Sequence, residues 1–152
     1  MRFQNYFEDL EIGQSIITPT RTMTEADVVF FAGLTGDYNE LHTSEYFNQK
    51  HTQFGQRVVH GLLVLSTAHG LMFRTNINDA AIAFAGIEEW KFMAPVFIGD
   101  TIFAQVTVQD KIPSRSKPDR GIVKFHFQIK KVNDEVVQQG VKVLMTRRRP
   151  VS

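Results

Sequence analysis

From Gly61 to Phe73 the run "GLLVLSTAHGLMF" contains no charged residue. Leu62, Leu65, His69, Met72 and Phe73 share one helical face, and Leu63, Val64, Thr67, Ala68 and Leu71 cover the others. That pattern predicts a helix buried nearly all round. At about 20 Å it is too short to cross a bilayer. After it the period changes to two. "TIFAQVTVQD" alternates Ile102, Ala104, Val106 and Val108 against polar partners, and "IVKFHFQIK" alternates Val123, Phe125, Phe127 and Ile129 against Lys124, His126, Gln128 and Lys130. "VVQQGVKVLM" predicts a last strand, entered through a tight turn at Asn133-Asp134. Residues 81–94 also read as a strand, with Ile82, Phe84, Trp90 and Phe92 inward. Clean alternation means antiparallel strands with one covered and one wet face.

The first third is less regular. Residues 14–22 predict a short strand ending before Thr24. Thr24 is a good N-cap, with Asp27 three residues on and Val28, Phe31 and Ala32 at helical spacing. Gly33 and Gly36 bracket the end of that helix. Residues 37–59 have no clean period and predict turns with short helical pieces. The expected fold class is α+β: an antiparallel sheet wrapped around one buried central helix, as a single domain over residues 1–152.

Composition narrows the function classes. A chain of 152 residues with 43% apolar and 22% charged positions is an ordinary globular domain. The formal charge of +1 argues against a nucleic-acid or membrane partner. Arg147-Arg148-Arg149 reads as a solvated tail. The absence of cysteine excludes disulfides, thiolate nucleophiles and Cys-based zinc sites. The segment "MRFQNYFEDLEIGQ" lacks the apolar core of a signal peptide, which predicts a cytoplasmic protein.

Two segments carry candidate chemistry. In "GDYNELH" Asp37 and His42 are five residues apart, about 140° on a helix, so they converge only around a turn. Gly36 and Asn39 supply turn chemistry. A carboxylate beside an imidazole can hold and deprotonate one water; the same spacing also fits Asp37 and Asn39 capping a turn beside a surface histidine. Gly61, preceded by His60, opens the apolar helix, where backbone N–H groups lack partners and the dipole favours negative charge. A carbonyl docked there would find an oxyanion hole; a glycine easing a sharp turn is the alternative. His42, His51, His60 and His69 recur every nine residues, a step that turns a helix by half a revolution, so the recurrence has no metal-site geometry and no metal is expected.

"FAGLTGDYNELH" followed by "VVHGLLVLSTAHGL" resembles the MaoC-like hydratases, the (R)-specific 2-enoyl-CoA hydratases of the hotdog superfamily. "EEWKFMAPVFIGDTI" is similar to that family's segment after the helix. The family pattern is Asp-x-Asn-Pro-x-His and then His-Gly. The resemblance implies a hotdog fold, usually dimeric, acting on an acyl-CoA thioester with no separate cofactor, since coenzyme A is part of the substrate. It implies Asp37 and His42 as the catalytic pair and Gly61 as oxyanion donor, with Asn39 holding the turn and His60 beside the substrate. Two positions depart from the pattern. Glu40 replaces the proline, and His69 stands where a hydroxyl is expected, with Ser66 one turn earlier; both border the expected acyl site. Arg115, Lys117 and Arg120 in "PSRSKPDRG" form either a solvated hairpin loop or a contact to coenzyme A phosphates. The expected reaction is reversible hydration of a 2-enoyl-CoA to a 3-hydroxyacyl-CoA. The alternatives are a hotdog thioesterase and a non-catalytic acyl-CoA-binding module.

Overall fold

The computed structural model describes residues 3–150. A single turn of 3-10 helix at Phe7–Asp9 leads into β1 (Ser15–Ile17) and β2 (Arg21–Thr22), followed by α1 (Glu25–Thr35), α2 (Glu40–Thr43), α3 (Glu45–His51) and α4 (Gly61–Phe73). Four long strands complete the chain: β3 (Ala81–Phe92), β4 (Thr101–Pro113), β5 (Arg120–Lys131) and β6 (Val136–Arg147). All pairings are antiparallel, in the order β1-β4-β5-β6-β3, with β2 also on β4. This is the hotdog arrangement: α4 lies in the concave face of the sheet. No helix among the described residues is long and apolar enough to cross a membrane.

The alternation in the sequence sets the core. Ile102, Ala104, Val106, Val123, Phe125, Phe127 and Ile129 are all fully buried. They form one cluster with Val64, Ala68 and Met72 of α4. Thr24 caps α1 as expected: its hydroxyl accepts from Asp27 N and the Asp27 carboxylate accepts from Thr24 N, a reciprocal capping box. Gly36 ends α1 in the left-handed conformation at φ 77°, which costs glycine nothing.

Three expectations need correction. The strand expected over 14–22 is two short strands, because Pro19 has no N–H to continue the ladder. Phe84 and Phe92 of β3 are exposed (45% and 58%) rather than inward. The pairing of β3 with β6 shifts register three times, and each shift changes which residues face the core. Finally, α4 is not buried all round: Leu62 is 61% and Phe73 48% exposed. Leu62 and Phe73 of α4 and Phe84, Ile87 and Phe92 of β3 therefore leave apolar surface uncovered on this chain.

Gly140 of β6 marks the tightest approach behind the site. A Cβ there would stand 2.6 Å from Trp90 Cε3, 2.9 Å from Trp90 Cα and 3.0 Å from Glu88 O. Two of those atoms are backbone and cannot swing away. We expect Gly140→Ala to lower stability by about 1–3 kcal/mol, the usual cost of overpacking. A denaturant midpoint unchanged from wild type would contradict this packing.

Candidate active site

The chain between α1 and α4 is folded so that the Asp37 turn lies over the start of α4. Asn39 caps α2, its side-chain oxygen accepting from Leu41 N at 2.9 Å. Glu40 takes the first position of that helix, where proline is favoured and an acidic side chain is also well placed. Replacing proline therefore leaves the turn intact. Asn48, fully buried on α3, donates to the carbonyls of Glu40, Leu41 and Ser44 and ties α3 to α2. Arg57 bridges Glu25 of α1 (2.8 Å) and Glu45 of α3 (2.7 Å). These hydrogen bonds, Glu25 first, hold the Arg57 guanidinium further above its already high range.

The two histidines and the aspartate meet within this frame. Nδ1 of His42 lies 2.6 Å from Val58 O, so it carries the proton and donates. That leaves Nε2 of neutral His42 as an acceptor, 3.8 Å from Asp37 Oδ2. The distance is too long for a direct hydrogen bond but suits a shared water. Two acceptors facing one gap are matched to a molecule with two protons. Nε2 of His60 lies 3.0 Å from the Asp37 carbonyl and donates to it. Its ring stacks on His42 with centroids 3.8 Å apart and planes 25° apart. His60 is 2% exposed and does not line the cleft, so it supports the pair from beneath rather than touching a ligand there.

Gly61 is the first residue of α4, beside that pair. Gly61 and His42 line a cleft of about 380 Å³ together with Phe92, Gln138, Val58 and Val96. Its N–H belongs to the first turn of a 13-residue helix, where the positive end of the dipole accumulates. A Cβ on Gly61 would stand 2.9 Å from the Phe92 ring. Gln138, which sequence reasoning missed, donates to Gly61 O at 2.9 Å and accepts from Trp90 Nε1 at 3.1 Å. The Gly61 peptide is thereby held from the β6 side.

Further along α4, His69 and Ser66 border a second cavity of about 270 Å³ with Leu65, Phe84, Ile87 and Lys142. Nδ1 of His69 accepts from Lys142 Nζ at 2.6 Å. The partner of this ring nitrogen is thus a side-chain amine rather than a backbone carbonyl. Arg115, Lys117 and Arg120 are not brought to the site within one chain. Their hairpin joins β4 to β5 beside Arg147, whereas Gln138 is nine residues back along β6, roughly 30 Å away. Arg120 is paired with neighbouring Asp119 at 2.8 Å.

Asp37, His42 and His60 offer ligand atoms within 4.8 Å of one another, the one such grouping among the described residues. The stacked rings hold their in-plane lone pairs side by side, and each histidine already spends one nitrogen on a carbonyl. Convergent tetrahedral ligation does not fit that arrangement.

This fold, with a carboxylate–imidazole pair at the mouth of a helix laid across an antiparallel sheet, is a hotdog fold carrying general acid–base groups beside a helix N-terminus. Residues 7–142 match the family described as "MaoC like domain", and the chain belongs to that family. It is 37% identical over 112 residues to the 3-hydroxybutyryl-CoA dehydratase of Methylorubrum extorquens, covering 74% of this chain and 69% of that protein. It is 36% identical over 111 residues to the (R)-specific enoyl-CoA hydratase of Rhodospirillum rubrum (73% and 74%). Protein MaoC of Klebsiella aerogenes is 41% identical over 109 residues, but the match spans about a third of that longer protein (32%) and 72% of this chain. Among solved structures, the "Monoamine oxidase regulatory protein from Archaeoglobus fulgius" superposes with TM-score 0.89 at 37% identity, covering 98% of both chains.

The Lys142–His69 pair also sets a pH dependence. Burial pushes the Lys142 amine down to about 7. Burial first, then the Lys142 charge, pushes His69 down to about 4. The unfolded chain therefore binds more protons than the folded one from pH 7 to Lys142's ordinary value of 10.5, and again from pH 4 to 6.5. Stability rises with pH in both windows. We expect the wild-type melting temperature to rise between pH 6.5 and about 9, and Lys142→Met to flatten that rise. A wild-type profile falling over that range, with the variant parallel to it, would contradict the burial of this amine without a carboxylate partner.

Proposed function

We propose that this protein is a 2-enoyl-CoA hydratase acting reversibly as a 3-hydroxyacyl-CoA dehydratase, with an (R)-configured product. The observation that carries the reading is the 3.8 Å gap between Asp37 Oδ2 and His42 Nε2 beside the N-terminus of α4. A water donating to both acceptors presents its oxygen lone pair to the cleft. That oxygen adds to C3 of the enoyl group while Asp37 or His42 takes the proton. The C2–C3 π electrons move toward the thioester, and the developing enolate oxygen is stabilised by Gly61 N–H and the helix dipole. The pair then returns the proton to C2, so the net change is one water added across the double bond. The named activities of the Methylorubrum and Rhodospirillum relatives support the same reaction class.

The stacked imidazoles favour a mechanism without a metal. Asn39 acts through the turn. His60 is a positioning residue, fixing Asp37 by its carbonyl and His42 by its ring. A single 1–152 domain acting in the cytoplasm is part of this reading, as is a phosphate contact from Arg115 or Lys117 supplied across a dimer.

Asp37→Asn and His42→Ala should each lower kcat by about two to four decades, the usual range for general acid–base groups. Because both act on one water, the double variant should be little worse than either single one. Loss of enoyl absorbance is the readout, with release of free thiol from a saturated acyl-CoA as the thioesterase control. A folded double variant with near-normal turnover removes the mechanism.

The uncovered apolar strip of α4 and β3 supports self-association through that face, with the β3 edge available for pairing. Light scattering should report a dimer or higher homo-oligomer at micromolar concentration; a stable, active monomer would overturn this.

A further inference from the structure

Lys142 is a buried amine that the hydration chemistry does not use. It is 1% exposed, on the face of β6 that meets α4, with the Phe127 ring 3.9 Å from Nζ and the Phe84 ring at 5.8 Å. Its polar partner is His69 Nδ1, which takes one of three N–H donors. Among the described residues no carboxylate oxygen comes within ion-pair distance of it; the ion pairs nearby, such as Lys124 with Glu88, are made on the outer face of the sheet. Fully buried lysines are almost always paired, because an uncompensated buried charge is costly. A buried amine either gives up its proton or takes a counter-charge from outside the chain, and a cavity lined by Lys142 leaves room for the second.

That cavity is separate from the catalytic cleft but lies further along the same helix and strands. Gly61 meets Gln138 at one end, and His69 meets Lys142 at the other. Eight residues of α4 and four of β6 both span about 12–13 Å between those contacts. On β3 the sequence runs from Phe92 at the cleft to Ile87 and Phe84 at the cavity. Helical side chains lean back toward the N-terminus, which brings His69 up to about one turn closer to Gly61. The cavity walls from Leu65, Phe84 and Ile87 are apolar. Donors thus stand at one point of a cavity whose other walls, Ser66 apart, are apolar. Because His69 Nδ1 accepts from the amine, its ring proton is on Nε2 and His69 is itself a donor.

We propose that Lys142 and His69 form an anion subsite at the acyl end of the groove, selecting acyl thioesters whose chain ends in a carboxylate. The inference rests on the hydratase reading for the placement of the thioester at Gly61. The carboxylate would supply the counter-charge of Lys142 and accept from His69 Nε2. It also accounts for His69 standing where a hydroxyl was expected, since that position orients the amine.

The test compares coenzyme A thioesters of equal length ending in a methyl or a carboxylate, with acyl chains of about four to ten carbons. Kd of the saturated thioesters and kcat/KM of the 2-enoyl thioesters are both measured on the full chain. The carboxylate series should win at its best length by about tenfold to a hundredfold. Lys142→Met should abolish or invert that preference, and Lys142→Arg should keep part of it. Equal Kd for the two series in wild type, or a preference untouched by Lys142→Met, overturns the subsite. Hydration of methyl-ended substrates without a carboxylate preference sinks this inference and leaves the hydratase reading standing. Tighter binding of carboxylate thioesters without any hydration does the reverse.

Discussion

The His60 imidazole ties the two halves of the site together. It precedes the first residue of α4, donates to the Asp37 carbonyl and lies face to face with His42. Because it is buried, its position is set by packing rather than by solvent. Remove that contact and the Asp37 carbonyl loses its direct tie to the residue that opens α4. The gap of 3.8 Å and the neighbouring Gly61 N–H then have no reason to coincide. The charged, turn-rich segment precedes the apolar helix in sequence because it must fold back over that helix's first turn.

The sheet contributes more chemistry than its strand pattern suggests. On β6 it is Gln138, Gly140, Lys142 and Leu144 that face α4, while Val141 and Val143 lie on the other face. The polar set is inward along much of this strand. Each polar group meets α4 at a defined level: Gln138 at the Gly61 peptide, Lys142 at His69. Between the helix and the strands there are thus two pockets, one beside Gly61 and Gln138 and one beside His69 and Lys142, each with apolar walls and a few polar groups.

Much of this was legible in the sequence. The period-two strands placed Phe125 and Phe127 correctly, the Thr24 cap and α4 fall where the pattern puts them, Asp37 lies 3.8 Å from His42, and His42 and Gly61 line one cleft. What was not legible has physical causes. The bulges of β3 turn Phe84 and Phe92 outward, and no residue pattern announces a bulge. Alternation assumes apolar residues face inward, which hides Gln138 and Lys142, although a lysine between two valines was a signal. The nine-residue histidine spacing by itself implies no geometry, because the histidines do not share one element. Yet His42 and His60 stack because the chain reverses between them, which spacing cannot express.

The most direct test is a crystal structure of the protein with a bound 3-hydroxyacyl-CoA. The account predicts the 3-hydroxyl within about 2.6–3.2 Å of both Asp37 Oδ2 and His42 Nε2, and the thioester oxygen about 2.7–3.1 Å from Gly61 N. A thioester carbon facing the Asp37–His42 gap, with C3 directed away from it, would contradict hydration at this site and leave carbonyl attack as the chemistry it performs.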